Sequence, residues 1–252
     1  MRRKAGIGFG MGLVVLAVVA TALGQTTVAD LVASGDAKRH TGDYDGAITD
    51  YNRALELDPK NGAAFNGRGL AKNHKGDFDS AIDDFNSVLE LYPKNESALN
   101  NRGLAKKDKG DNDGAIADFN LVLELNPKNG SALSNRGLAK DAKGDYDGAI
   151  ADFNRALEFD PIDGHVYYNR GRSKDGKRDY DGAIADYDRA LELDPKNGDI
   201  YYNRGWSKFA KGDYDAAIAD YDRALALKPT YVAYAYGNRG SAKEANSPLK
   251  NA

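Results

Sequence analysis

Between Gly144 and Pro161 the apolar residues Ala149, Ile150, Phe153, Ala156 and Leu157 fall at the i, i+3, i+4, i+7 spacing of one helix face. Asp145 stands where an N-cap belongs, and Pro161 follows the end of the pattern. The preceding half-unit is more polar, as in the run from Ser97 to Lys109. It predicts a second helix, stopped at Gly110 because glycine accepts positive φ. This couple of a polar helix and an apolar helix recurs along the chain. Prolines at 59, 93, 127, 161, 195 and 229 mark unit ends 34 residues apart, giving units 28–61, 62–95, 96–129, 130–163, 164–197 and 198–231. One such hairpin cannot bury its apolar stripe alone, whereas stacked copies can.

Within each first helix a glycine recurs, at 35, 69, 103, 137, 171 and 205. Glycine in mid-helix costs about 1 kcal/mol against alanine, so its recurrence predicts a close approach of two helices there. In the first unit Gly35, Ala47, Tyr51, Ala54 and Pro59 occupy positions 8, 20, 24, 27 and 32, and later units repeat these types nearly throughout. On those residues the chain resembles a tetratricopeptide repeat protein over residues 28–231. The resemblance implies an all-α fold, a right-handed superhelical solenoid of helix-turn-helix repeats, whose first helices line a concave groove holding a protein or peptide partner. Residues 25–27 then form a linker, residues 232–246 a capping helix, and residues 247–252 a disordered tail.

Charged positions also keep phase. Arginine takes position 7 where the family usually has leucine (Arg68, Arg102, Arg136, Arg170, Arg204), and the segment after the sixth unit offers Arg239. Lysine holds position 11 throughout, and aspartate position 23: Asp50, Asp84, Asp118, Asp152, Asp186 and Asp220. The first unit has Ser34 in place of its arginine. Pairing each aspartate with the arginine of the next unit leaves no orphan, which predicts an inter-repeat ladder: Asp50–Arg68, Asp84–Arg102, Asp118–Arg136, Asp152–Arg170, Asp186–Arg204 and Asp220–Arg239. Such a ladder would set stacking register more than stability, because desolvating charges costs much of what their attraction returns.

The N-terminus breaks the pattern. Arg2, Arg3 and Lys4 precede an uncharged stretch to Gly24 with an apolar core from Leu13 to Ala20 and small residues near its end. Residues 1–24 thus read as a secretory signal peptide, with an uncleaved membrane anchor as the alternative. Either expectation sends the repeats out of the cytosol, to a periplasmic or secreted location. Without those residues 32 basic side chains face 38 acidic ones, a net charge of −6 that offers no footprint for nucleic acid. With no cysteine there is no disulfide, thiol nucleophile or cysteine-bound metal, and the three histidines (His40, His74, His165) lack ligand spacing. The repeated Asp-x-Asp-Gly turns lack the further oxygen ligands of a calcium loop and read as helix caps. The expectation is therefore a protein without catalytic residues, metal or cofactor.

The resemblance places function in the groove, at positions 2, 5, 6, 9, 12 and 13 of each repeat. The family's carboxylate clamp uses lysine and asparagine at positions 5 and 9 of the first repeat, where this chain has Val32 and Asp36. The late repeats instead bring aromatic and arginine side chains beside amides: His165, Tyr168, Asn169 and Arg172, then Tyr202, Asn203, Trp206 and Phe209. Those are the residue types that binding hot spots favour. Asn101 and Asn135 repeat the amide at position 6, suited to a bound peptide backbone. The functional expectation is a non-enzymatic scaffold for a peptide or protein segment. The alternative is a carbohydrate- or small-ligand-binding protein using the same C-terminal aromatic cluster. A membrane becomes a partner only if the N-terminal segment is retained.

Overall fold

The computed structural model describes residues 26–247, and the expected signal peptide and most of the expected tail lie outside them. Among the described residues there are thirteen helices and no strand. They are α1 (Val28–His40), α2 (Tyr44–Leu57), α3 (Gly62–His74), α4 (Phe78–Leu91), α5 (Glu96–Lys109), α6 (Asn112–Leu125), α7 (Gly130–Ala142), α8 (Tyr146–Phe159), α9 (Gly164–Gly176), α10 (Tyr180–Leu193), α11 (Gly198–Ala210), α12 (Tyr214–Ala226) and α13 (Val232–Ala245). Two compact units divide after Pro93. None of the described helices is long and apolar enough to cross a membrane.

Capping residues explain where the helices start. Asp43, Asp77, Asp111, Asp145, Asp179 and Asp213 each accept a backbone N–H at the start of a second helix. The connecting turns need a left-handed residue, supplied by Gly42, Gly76, Gly110, Gly144 and Gly212; only Arg178 takes that conformation as a side-chain residue in this series, at φ 62°.

In the first unit, α1 to α4, the core is Leu31, Ala47, Tyr51, Ala54, Ala64 and Ala71. The Tyr51 ring fills the space beside Gly35, where an added Cβ would come within 2.7 Å of it. Its hydroxyl donates to Asp36 at 2.8 Å. In the second unit, α5 to α13, the same slot is filled by Phe119 against Gly103, Phe153 against Gly137, Tyr187 against Gly171 and Tyr221 against Gly205. All four rings are fully buried. The missing Cβ lets a whole ring lie against the helix backbone, which outweighs the propensity cost of the glycine.

The charge pairing differs from the expected ladder. Each arginine forks onto the aspartate of its own repeat: Arg68 onto Asp84, Arg102 onto Asp118, Arg136 onto Asp152, Arg170 onto Asp186 and Arg204 onto Asp220, with Nε and Nη2 donating at 2.5–2.9 Å. The pairs Asp50–Arg68, Asp84–Arg102, Asp118–Arg136, Asp152–Arg170, Asp186–Arg204 and Asp220–Arg239 are therefore not the ones formed. Residues 16 apart face each other across the antiparallel hairpin, so the nearest carboxylate to position 7 is its own repeat's position 23. A lysine completes each group: Lys72, Lys106, Lys140, Lys174 and Lys208 reach Oδ2 of the same aspartate, the oxygen that Nε also bonds, at 2.7–2.8 Å.

Asp50 is not orphaned, because Ser34 Oγ and Lys38 Nζ both donate to it at 2.6 Å. Burial works to raise its pKa, but those two donors prevail and hold it below the ordinary carboxylate range. A link between repeats does exist, through the remaining edge of the guanidinium. Nη1 of Arg68, Arg136 and Arg170 donates to Asn52, Asn120 and Asn154 of the preceding repeat, and that of Arg204 and Arg239 to Asp188 and Asp222. The arginine bridges repeats, with position 25 as its far partner instead of position 23.

Candidate functional site

In the second unit, the first helices of successive repeats, α5, α7, α9, α11 and α13, carry the residues assigned to the groove. Several of these are committed to one another. Asn135 donates to the side chain of Asn100 at 3.3 Å, Asn203 to the Tyr168 hydroxyl at 3.0 Å, and Asn238 to the Tyr202 hydroxyl at 3.2 Å. Each of these bonds joins position 6 of one repeat to position 5 of the repeat before. Those asparagines fasten neighbouring helices, and their remaining polar capacity is what a ligand could use.

The aromatic cluster expected from the sequence divides. Tyr168 packs against buried Tyr187, and Tyr202 against buried Tyr221, at ring-centroid distances of 6.0 Å. Burial pushes both hydroxyls' pKa up. Phe209 is half-buried with Tyr214 and belongs to the core around Ala217, Tyr221 and Ala242, so it is not an open contact residue. Trp206 stays exposed, its ring edge-on to Tyr180. Arg172 is exposed on α9, and Asn101 sits on α5.

Two open hollows adjoin on this unit, sharing His165. One, of about 610 Å³, is walled by Asn100, Ser131, Ser134, Asn135, Phe159, Asp163 and Asn169 among others. The other, of about 290 Å³, is walled by Ile162, Tyr168, Leu193, Asn197, Asp199 and Ile200. Of the sequence-assigned residues, His165, Tyr168, Asn169 and Asn135 line these hollows, while Arg172, Tyr202, Trp206 and Phe209 do not. The apolar ledge formed by Phe159, Ile162 and Leu193 was not anticipated. Ile162 carries its clearest signal in the sequence. It is 69% exposed at a turn position where Lys60, Lys94, Lys128 and Lys196 stand in other repeats.

The floor is polar, with amides, hydroxyls and the carboxylates of Asp163 and Asp199 beside the apolar ledge. Asp199 is already held by the backbone N–H and hydroxyl of Thr230 at 2.7 and 2.6 Å. Among the described residues no group of three or more metal-ligating side chains comes together. What the arrangement offers is hydrogen-bonding groups at intervals with an exposed apolar step between them.

The tetratricopeptide repeat profile matches residues 32–96, 100–163 and 168–232. The chain belongs to the tetratricopeptide repeat family. A tetratricopeptide repeat protein from Parabacteroides merdae has a similar structure at 23% identity and a TM-score of 0.69, over 90% of this chain and 89% of that one. The MamA protein is 27% identical with a TM-score of 0.59, over 67% of this chain and 92% of its own. YrrB, described as a tetratricopeptide repeat protein with an unusual peptide-binding site, is 19% identical with a TM-score of 0.60, over 77% and 97%. No curated protein matches in sequence. As a tetratricopeptide repeat chain, this protein has the all-α solenoid architecture of helix pairs.

Proposed function

We propose that the protein is a non-enzymatic scaffold that holds a peptide or protein segment in the paired hollows around His165. The observation that carries this reading is the exposed apolar side chains in the walls of both hollows, Phe159 with the amide of Asn169 in the larger and Ile162 and Leu193 with Asn197 in the smaller. Apolar side chains left open beside polar groups that fix orientation are the composition of a binding pocket. An extended segment would place apolar anchors on the ledge and its backbone groups against Asn100, Asn135 and Asn169. Peptide binding in a relative of this fold, YrrB, is consistent with this reading. We further propose that the array works outside the cytosol, delivered by residues 1–24; N-terminal sequencing of the mature chain would give Gln25 first, and an initial Met1 would count against it.

The test is selection of displayed peptides on residues 25–252, with the Phe159→Ser, Ile162→Lys double variant as the counter-target. Binders enriched in apolar residues and lost on the variant support the ledge. Binders indifferent to it, but competed by oligosaccharides and lost on Trp206→Ala, favour the carbohydrate reading that the exposed indole leaves open.

A further inference from the structure

Helix α13 has no second helix packed on it among the described residues, yet it carries the complete docking face for one. In the repeats, positions 4, 7, 8 and 11 of the first helix meet the second helix: Tyr201, Arg204, Gly205 and Lys208 in the sixth repeat are one set. On α13 the equivalents are Tyr236, Arg239, Gly240 and Lys243, which follow i, i+3, i+4, i+7 spacing on one face.

The posture of this face is that of the filled repeats. Arg239 lies over the Tyr236 ring at 5.2 Å, as Arg204 lies over Tyr201 and Arg170 over Tyr167 at 5.3 Å. Its Nη1 holds Asp222 at 2.5 Å, as that of Arg204 holds Asp188. What differs is the other edge. Where Arg204 forks onto Asp220 and Lys208 joins it, no carboxylate among the described residues meets the Nε–Nη2 edge of Arg239 or the ammonium of Lys243. Where an added Cβ on Gly205 would meet the Tyr221 ring at 3.0 Å, nothing lies within 4 Å of one on Gly240. Tyr236 is correspondingly 56% exposed.

We propose that α13 is a receptor for a partner's amphipathic helix carrying an aspartate followed directly by an aromatic residue on its packed face. The aspartate would enter the fork of Arg239 and the ammonium of Lys243, and the aromatic ring would lie on Gly240. The Nε–Nη2 edge of Arg239, left over from its pairing with Asp222, and the ammonium of Lys243 are both cationic donors, so charge complementarity specifies an acidic residue there. The notch specifies a flat ring beside it. The surface is separate from the hollows at His165 and does not depend on what they bind.

The test uses a probe copied from a second helix of this chain. A fluorescein-labelled peptide of residues Asp179–Asn197 is stapled between positions 185 and 189, both exposed in α10, so that it is helical before binding. Circular dichroism checks that helicity, and fluorescence anisotropy reads binding to residues 25–252. The expected result is one saturable site. Binding weakens at least about tenfold for the Asp186→Asn and Tyr187→Ala peptides and for Arg239→Gln and Gly240→Leu proteins. Gly240 is exposed and leucine favours helix, so the melting temperature of Gly240→Leu should not fall. A helical peptide that fails to bind, or binds Gly240→Leu as well as wild type, overturns the proposal. A wild-type chain that sediments as a dimer split by Gly240→Leu overturns it in favour of a second copy.

Discussion

Asp175, 9% exposed on α9, is a carboxyl group whose proton should control stability in the weakly acidic range. It accepts hydrogen bonds from Ser207 Oγ and the Tyr187 hydroxyl, both at 2.7 Å, and so ties α9 to α11 and α10. Burial pushes its pKa from 3.8 up to about 6, against the pull of those two donors and of Arg172. The folded chain therefore binds a proton there that the unfolded chain has already released. This contribution is fully present below about pH 4, the unfolded value, and is lost as pH rises through about 6. The interval from 3.8 to about 6, at about 1.4 kcal/mol for each pH unit, amounts to about 3 kcal/mol. Asp175→Asn keeps an acceptor for the two hydroxyls and removes the ionisation. Urea unfolding of both proteins at a series of pH values between about 4 and 8 gives the comparison, with the wild-type curve subtracted to cancel every other titrating group. The variant should gain on wild type by about 3 kcal/mol across the window. A flat difference would show that the two hydroxyls keep the carboxylate ionised and that burial does not dominate.

Other sites give independent checks. Asp152→Ala should cost about 3–5 kcal/mol, because it leaves Arg136 and Lys140 half-buried and facing each other, while replacing all three by apolar residues should cost far less; chemical denaturation of the two variants distinguishes this from a simple loss of contacts. Arg178→Gly should raise stability by about 0.5–1 kcal/mol, since the turn holds this residue at φ 62° where the corresponding turns of other repeats use glycine, and a lower melting temperature would refute the strain argument. Tyr221→Phe should be neutral or stabilising by up to about 1 kcal/mol. Its hydroxyl is buried without a hydrogen bond, Asn238 donating to Tyr202 instead, so a loss measured by thermal unfolding would reveal a partner for it.

The repeat frame was legible because its signals come in pairs that occur in phase. A mid-helix glycine such as Gly137 makes sense only with a ring such as Phe153 to lie on it, and both recur every 34 residues. The capping aspartates and turn glycines were equally readable, since each acts on the backbone within a few residues. The charge pairing was not, because an arginine has two hydrogen-bonding edges and a count of orphans treats it as having one. Asp50 seemed to need Arg68, whereas Ser34 and Lys38 already satisfied it. The site was only half legible. Position in a repeat says which helix carries a residue, but Phe209 shows that a long side chain can turn back into the core from a groove position. Ile162 shows the reverse, a turn residue outside the groove positions that supplies the most exposed part of the ledge.

The proposed peptide site is formed by the ledge and hollows at His165. Its most direct test is the calorimetric titration of a selected peptide into wild type and into Ile162→Lys, which restores the lysine of the other repeats at an exposed turn. Binding should weaken about tenfold or more, the loss of one well-buried apolar anchor, with no change in melting temperature. Equal affinity for both proteins would contradict the assignment of this surface.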